Sequence, residues 1–161
     1  MGGDPRPVRP PARRAGGGGL RIDAAAFEAL VAELLRKGGG GGHLARIHLI
    51  SLDSVASAFG DRWPKLAEKA RAIVGSLIAA RLGRSDAWLR VGDSFLVLLA
   101  GVSQIEASIK IAALADEIGR RLLGEEGDQA RQIVVAHRVV PLADLGRLGP
   151  APPAGRLAAA L

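Results

Sequence analysis

Apolar residues recur with a helical period in three stretches of this chain and gather into short strand-like runs in four others. Phe27, Leu30, Val31, Leu34 and Leu35 fall at i, i+3, i+4, i+7 and i+8. With Asp23 placed to cap and Gly38 to stop, this spacing predicts an amphipathic helix beginning near Asp23. Residues 65–82 set Leu66, Ala70, Ile73, Leu77 and Ile78 on one face, and Pro64 stands where a helix start tolerates proline. Ser103 and Glu106 have capping-box spacing ahead of Ile111, Leu114, Ile118 and Leu122, a second long helix running to Gly124.

Between these helices the period shortens. Residues 44–52 alternate apolar and polar side chains before reaching Asp53, which predicts a strand that ends where a helix begins. Residues 87–91 and 95–100 are two apolar runs separated by Gly92, Asp93 and Ser94, a turn that joins antiparallel strands. Residues 132–140 form a β-branched run ahead of Pro141. The order helix, strand, helix, hairpin, helix, strand predicts an α+β sandwich: a mainly antiparallel central sheet with helices on at least one face.

The ends of the chain have a different composition. Residues 1–19 combine proline, arginine and glycine without an apolar pattern and read as a disordered leader, and residues 142–161 read as a low-complexity Pro/Gly/Ala tail. One domain over residues 20–141 is the expectation. The five glycines at 38–42 lack the spacing and the Lys-Ser/Thr ending of a phosphate-binding loop and read as a linker.

Composition narrows the function classes. No apolar stretch approaches the about 20 residues of a membrane helix, and the first residues do not resemble a secretory signal, so no membrane insertion and a cytoplasmic setting are expected. With no cysteine there is no disulfide framework and no thiolate chemistry. His43, His48 and His137 lack metal-ligand spacing, so no metal site is expected from them. The net charge of +6 owes much to Arg6, Arg9, Arg13, Arg14 and Arg21 in or beside the leader, and only five aromatic residues, three Phe and two Trp, are available for base stacking. Nucleic acid is therefore not an expected partner, although a tethering role for the arginine leader would predict salt-sensitive binding.

The hairpin Arg90-Val91-Gly92-Asp93-Ser94-Phe95 with its apolar continuation resembles the signature of GGDEF (diguanylate cyclase) domains, where an Arg precedes Gly-Gly-Asp-Glu-Phe; here one residue is deleted. Asp86 lies four residues before Arg90, as an Asp commonly does in that family, and Ile50-Ser51-Leu52-Asp53 lies at the distance of the family's Asp-x-Asp. The resemblance runs from about Asp23 to Val140, without counterparts of the family's last helix and strand, a loss that would leave one sheet face uncovered. It implies a GGDEF/nucleotidyl-cyclase-like sandwich and a degenerate, C-terminally shortened member.

Family members join two GTP molecules by attack of a 3′-hydroxyl on an α-phosphate, with metal ions neutralising the triphosphate. By the resemblance, the first Asp of the Asp-x-Asp pair and the Glu of the signature hold the metal; here those positions carry Ser51 and Ser94. A hydroxyl is a poor substitute, because magnesium favours charged oxygen ligands. Val91 stands where a glycine would lie or has been deleted, weakening the backbone approach to phosphate. The family's guanine-contacting Asn falls at Phe59 and its guanine-contacting Asp at Glu68. Of the family's inhibitory Arg-x-x-Asp, Asp86 is kept while Gly83 takes the Arg position between Arg81 and Arg84.

The resemblance thus leaves a vestigial nucleotide site of Ser51, Asp53, Glu68, Arg90, Gly92, Asp93 and Ser94, with no catalytic residue assigned and no cofactor expected. Structural roles compete for the same residues: Asp53 as a helix cap, Asp93 as a turn residue and Arg90 as partner of a nearby carboxylate. The leading expectation is an inactive GGDEF-like domain serving as a regulatory or protein-interaction module in bacterial signalling, with a protein partner or a second copy of itself. The alternative is an active or weakly active diguanylate cyclase, or a guanine-nucleotide sensor, that uses Mg and GTP through a shifted set of Asp53, Asp61 and Asp93 to make or sense cyclic di-GMP.

Overall fold

A computed structural model describes residues 18–37, 45–124 and 135–140. The expectations for the leader up to residue 17, the glycine run, His43, residues 132–134 and the tail lie outside the described residues. The elements are β1 (Leu20–Arg21), α1 (Ala24–Lys37), β2 (Ala45–Ser51), α2 (Asp53–Phe59), a 3-10 turn (Gly60–Arg62), α3 (Trp63–Arg81), β3 (Ala87–Val91), β4 (Ser94–Ala100), α4 (Gln104–Leu123) and β5 (Ala136–Val140).

The five strands form one mixed sheet in the order β1-β3-β4-β2-β5. All pairings are antiparallel except β1 with β3, which is parallel. The α+β class holds. β4 lies at the centre, and its unbroken apolar run follows from burial on both faces: Phe95, Val97 and Leu99 point to one layer, Leu96 and Leu98 to the other. The first layer packs against α2, α3 and α4, and the second packs against Phe27 and Val31 of α1. Helices therefore cover both faces of the sheet, which corrects the expectation of an uncovered face.

Local chemistry explains most of the element ends. Asp23 Oδ1 accepts from the Ala26 amide at 2.7 Å, the expected start of α1. The capping box of α4 is complete: the Glu106 amide donates to Ser103 Oγ at 3.2 Å and the Ser103 amide to Glu106 Oε2 at 2.8 Å. α4 ends at Gly124 with φ +82°, a left-handed conformation that glycine adopts without strain.

Three details differ from the sequence reading. In α3 the buried face is Trp63, Ala67, Ala70, Val74, Gly75 and Ile78, while Leu66 is exposed. Packing against the ring of Trp88 selects this face, since a Cβ on Gly75 would sit 2.9 Å from Trp88 Cη2. The hairpin turn is two residues rather than three, because Val91 pairs with Ser94 and places Ser94 inside β4. Gly92 takes φ +59° while Asp93 does not, as in a type II′ turn. Finally, β1 has no periodic signature at all: the strand is held by the Leu20 amide on the Asp86 carbonyl (3.1 Å) and, just past its end, by the Ile22 amide on the Trp88 carbonyl (3.0 Å). Among the described residues no helix is long and apolar enough to cross a membrane.

Candidate functional site

The residues singled out at the hairpin come together at one end of the sheet. Ser51 ends β2 and Ser94 opens β4, and the two are directly paired across the strands. The Leu52 amide donates to the Asp93 carbonyl at 2.9 Å, tying the strand-to-helix corner at residues 51–53 to the turn. Asp53 begins α2 and is exposed; it does not cap that helix, which corrects one reading of it. Its amide instead donates to Ser51 Oγ at 3.1 Å, so this serine braces the start of α2.

Asp93 is the most engaged member of the set. Its Oδ2 accepts from the indole Nε1 of Trp63 at 3.1 Å, and its Oδ1 accepts from Arg71 Nε at 2.6 Å. Arg71 in turn holds Glu68, one helical turn earlier, and Arg90 reaches Glu68 Oε2 at 3.5 Å. The hydrogen bond from Arg71 is the leading reason that the Glu68 carboxyl titrates below its ordinary value, with the charges of Arg90 and Arg71 acting in the same direction. Glu68, Arg90 and Asp93 thus belong to one ionic network with Arg71 as its hub. Neither Arg71 nor Trp63 was singled out from sequence; the i, i+3 spacing of Glu68 and Arg71 was the only signal for the first.

A magnesium-bound triphosphate of the kind the resemblance implies does not fit these residues. The two positions that should supply acids offer the Ser51 and Ser94 hydroxyls, and both oxygens of the remaining Asp93 carboxylate already accept from protein donors. Asp61 lies exposed on the 3-10 turn. Among the described residues no three His, Asp or Glu side chains gather into a metal-holding cluster.

Asp86 is a structural anchor. Buried to 6 % exposure, it accepts from the amides of Gly83 (2.8 Å) and Ala100 (3.0 Å) and pairs with Lys110 Nζ (3.1 Å), joining the α3–β3 loop, β4 and α4. Arg81, beside the Gly83 position, makes a two-pronged pair with Glu117 at 2.9 Å.

A groove of about 530 Å³ opens beside the hairpin, lined by Arg21, Glu68, Arg71, Gly75, Trp88 and Arg90 among others. No protein family, curated protein or solved structure matches the chain.

Proposed function

We propose that the chain is a degenerate GGDEF-like domain that serves as a regulatory or protein-interaction module and does not catalyse cyclic dinucleotide synthesis. The observation that carries this reading is the state of the hairpin carboxylate. Asp93 is held by Trp63 and Arg71, and the strand pair beside it presents serine opposite serine where metal-dependent phosphoryl transfer needs acids. The element order around the hairpin, with β2 flanked by β4 and β5 and preceded by a helix, supports the family part of the reading. An interaction module needs such a scaffold but not its metal ligands.

Titration of the full chain with magnesium and GTP, following heat of binding and cyclic dinucleotide formation in the same samples, tests the reading. The expected result is no product. Turnover would overturn the proposal, and binding without turnover would redirect it to a nucleotide sensor.

A further inference from the structure

The groove beside the hairpin is assembled from four elements, with Phe95 of β4 in its lining. α3 contributes small residues, Ala72, Gly75, Ser76 and Ala79, which leave the space open; β3 contributes Trp88 and Arg90; β1 contributes Arg21. Its volume of about 530 Å³ is that of a small-ligand pocket rather than a packing defect.

Three guanidiniums line this groove against a single lining carboxylate. Arg71 is committed to Asp93 and Glu68. Arg90 reaches Glu68 only at 3.5 Å, and Glu68 itself is three-quarters exposed at the rim. Among the described residues Arg21 has no carboxylate partner: it lies over the Trp88 ring, 5.5 Å from the centroid. Trp88 belongs to the same lining. The residue is 5 % exposed and its indole Nε1 is buried without an acceptor, whereas a buried tryptophan N–H ordinarily finds one. Under-used cationic donors therefore line one groove, one of them over the Trp88 ring.

We infer that this groove is a binding site for a phosphate-bearing small molecule, recognised by Arg21 and Arg90 with Arg71 as the fixed wall. Guanidinium forks match phosphate oxygens, and a phosphoryl group offers three acceptors to donors that come from three different elements, where a carboxylate offers two. Even with Asp93 behind Arg71 counted, three guanidiniums face two carboxylates, so an anion enters a positive field. Arg21, Arg71 and Trp88 lie outside the set that the hairpin resemblance picks out, and the site needs no divalent metal.

The test is calorimetric titration of the full chain with pyrophosphate and with phenyl phosphate, in a metal chelator and at constant ionic strength, using the wild type, Arg21→Gln, Arg90→Gln and Arg36→Gln. Arg36 is an exposed residue of α1 and controls for general charge. Saturable binding is expected, weakened roughly tenfold by either groove substitution and by less than about twofold by Arg36→Gln. Circular dichroism identifies a variant that has lost its fold, and either groove variant alone then decides the matter. No saturable heat at millimolar ligand, or equal loss in all three variants, would overturn the assignment. Cyclic dinucleotide formation from GTP would sink the inactive-module reading and leave this site standing; failure to bind pyrophosphate would do the reverse.

Discussion

Arg71 and Asp93 are joined across 22 residues of sequence, the guanidinium Nε donating to the carboxylate Oδ1 at 2.6 Å. This contact pins the hairpin turn to the long helix α3, and both side chains are only about a quarter exposed. Solvent therefore screens the pair less than it screens an open surface ion pair.

Removing the carboxylate leaves the Trp63 indole N–H without its acceptor and Arg71 with Glu68 alone. Asp93→Ala is expected to lower stability by about 1–3 kcal/mol, and Asp93→Asn, which can still accept from Trp63, by less. Urea unfolding midpoints of the two variants against the wild type check the order.

Ser51 and Ser94 face each other on β2 and β4, so introducing acids at both sets two like charges directly opposite. The double variant Ser51→Asp, Ser94→Glu is expected to be less stable than the wild type in chelator and to recover stability as magnesium is added, whereas the wild type does not respond. Melting temperatures with and without magnesium measure this. An unresponsive double variant would count against the proposed ancestry of the site.

His48 lies in β2 at 2 % exposure with neither ring nitrogen hydrogen-bonded. Burial, with the nearby charges of His137 and Arg46, holds its pKa below the ordinary 6.5. The imidazole is thus neutral in the fold, while the unfolded chain takes up a proton near pH 6.5. Stability is complete above that pH, falls as pH drops toward the folded value with a limiting slope of about 1.4 kcal/mol per pH unit, and levels off below it. Urea midpoints at about pH 7.5 and 5.5 should differ, and His48→Val should flatten the difference.

Gly75 and Trp88 meet where α3 crosses β3. Gly75→Ala gains about 1 kcal/mol of helix propensity but sets a methyl group 2.9 Å from a ring that is 5 % exposed and has little room to move. The clash dominates, and a net loss of about 1 kcal/mol is expected in thermal or urea unfolding. An unchanged or raised midpoint would mean that the ring yields.

Ser103→Ala removes the acceptor for the Glu106 amide at the start of α4 and is expected to cost about 1 kcal/mol, with Ser103→Asp near neutral. The Ser103 amide holds the Glu106 carboxyl below its ordinary 4.5. Its contribution is present above that pH and lost as pH falls through the folded value, so the cost of Glu106→Gln should shrink in acid.

By itself the sequence determined what near neighbours determine. The Asp23 start of α1, the capping box at Ser103 and Glu106, the glycine turn at Gly92 and the strands on either side are settled within a few residues, through hydrogen bonds and turn geometry that the same residues supply. Tertiary structure alone decided which face of α3 is buried, with Ala67 in the core and Leu66 exposed, as Trp63, Val74 and Ile78 join the core cluster and Gly75 meets the Trp88 ring. It decided the two-residue strand β1, which is held by carbonyls about 65 residues away and is too short for any period to appear. It likewise decided the ties of Asp93 to Trp63 and Arg71, and the groove of Arg21, Trp88 and Arg90. Contacts between residues far apart in the chain leave no spacing to read, because their geometry exists only once the sheet and α3 have packed.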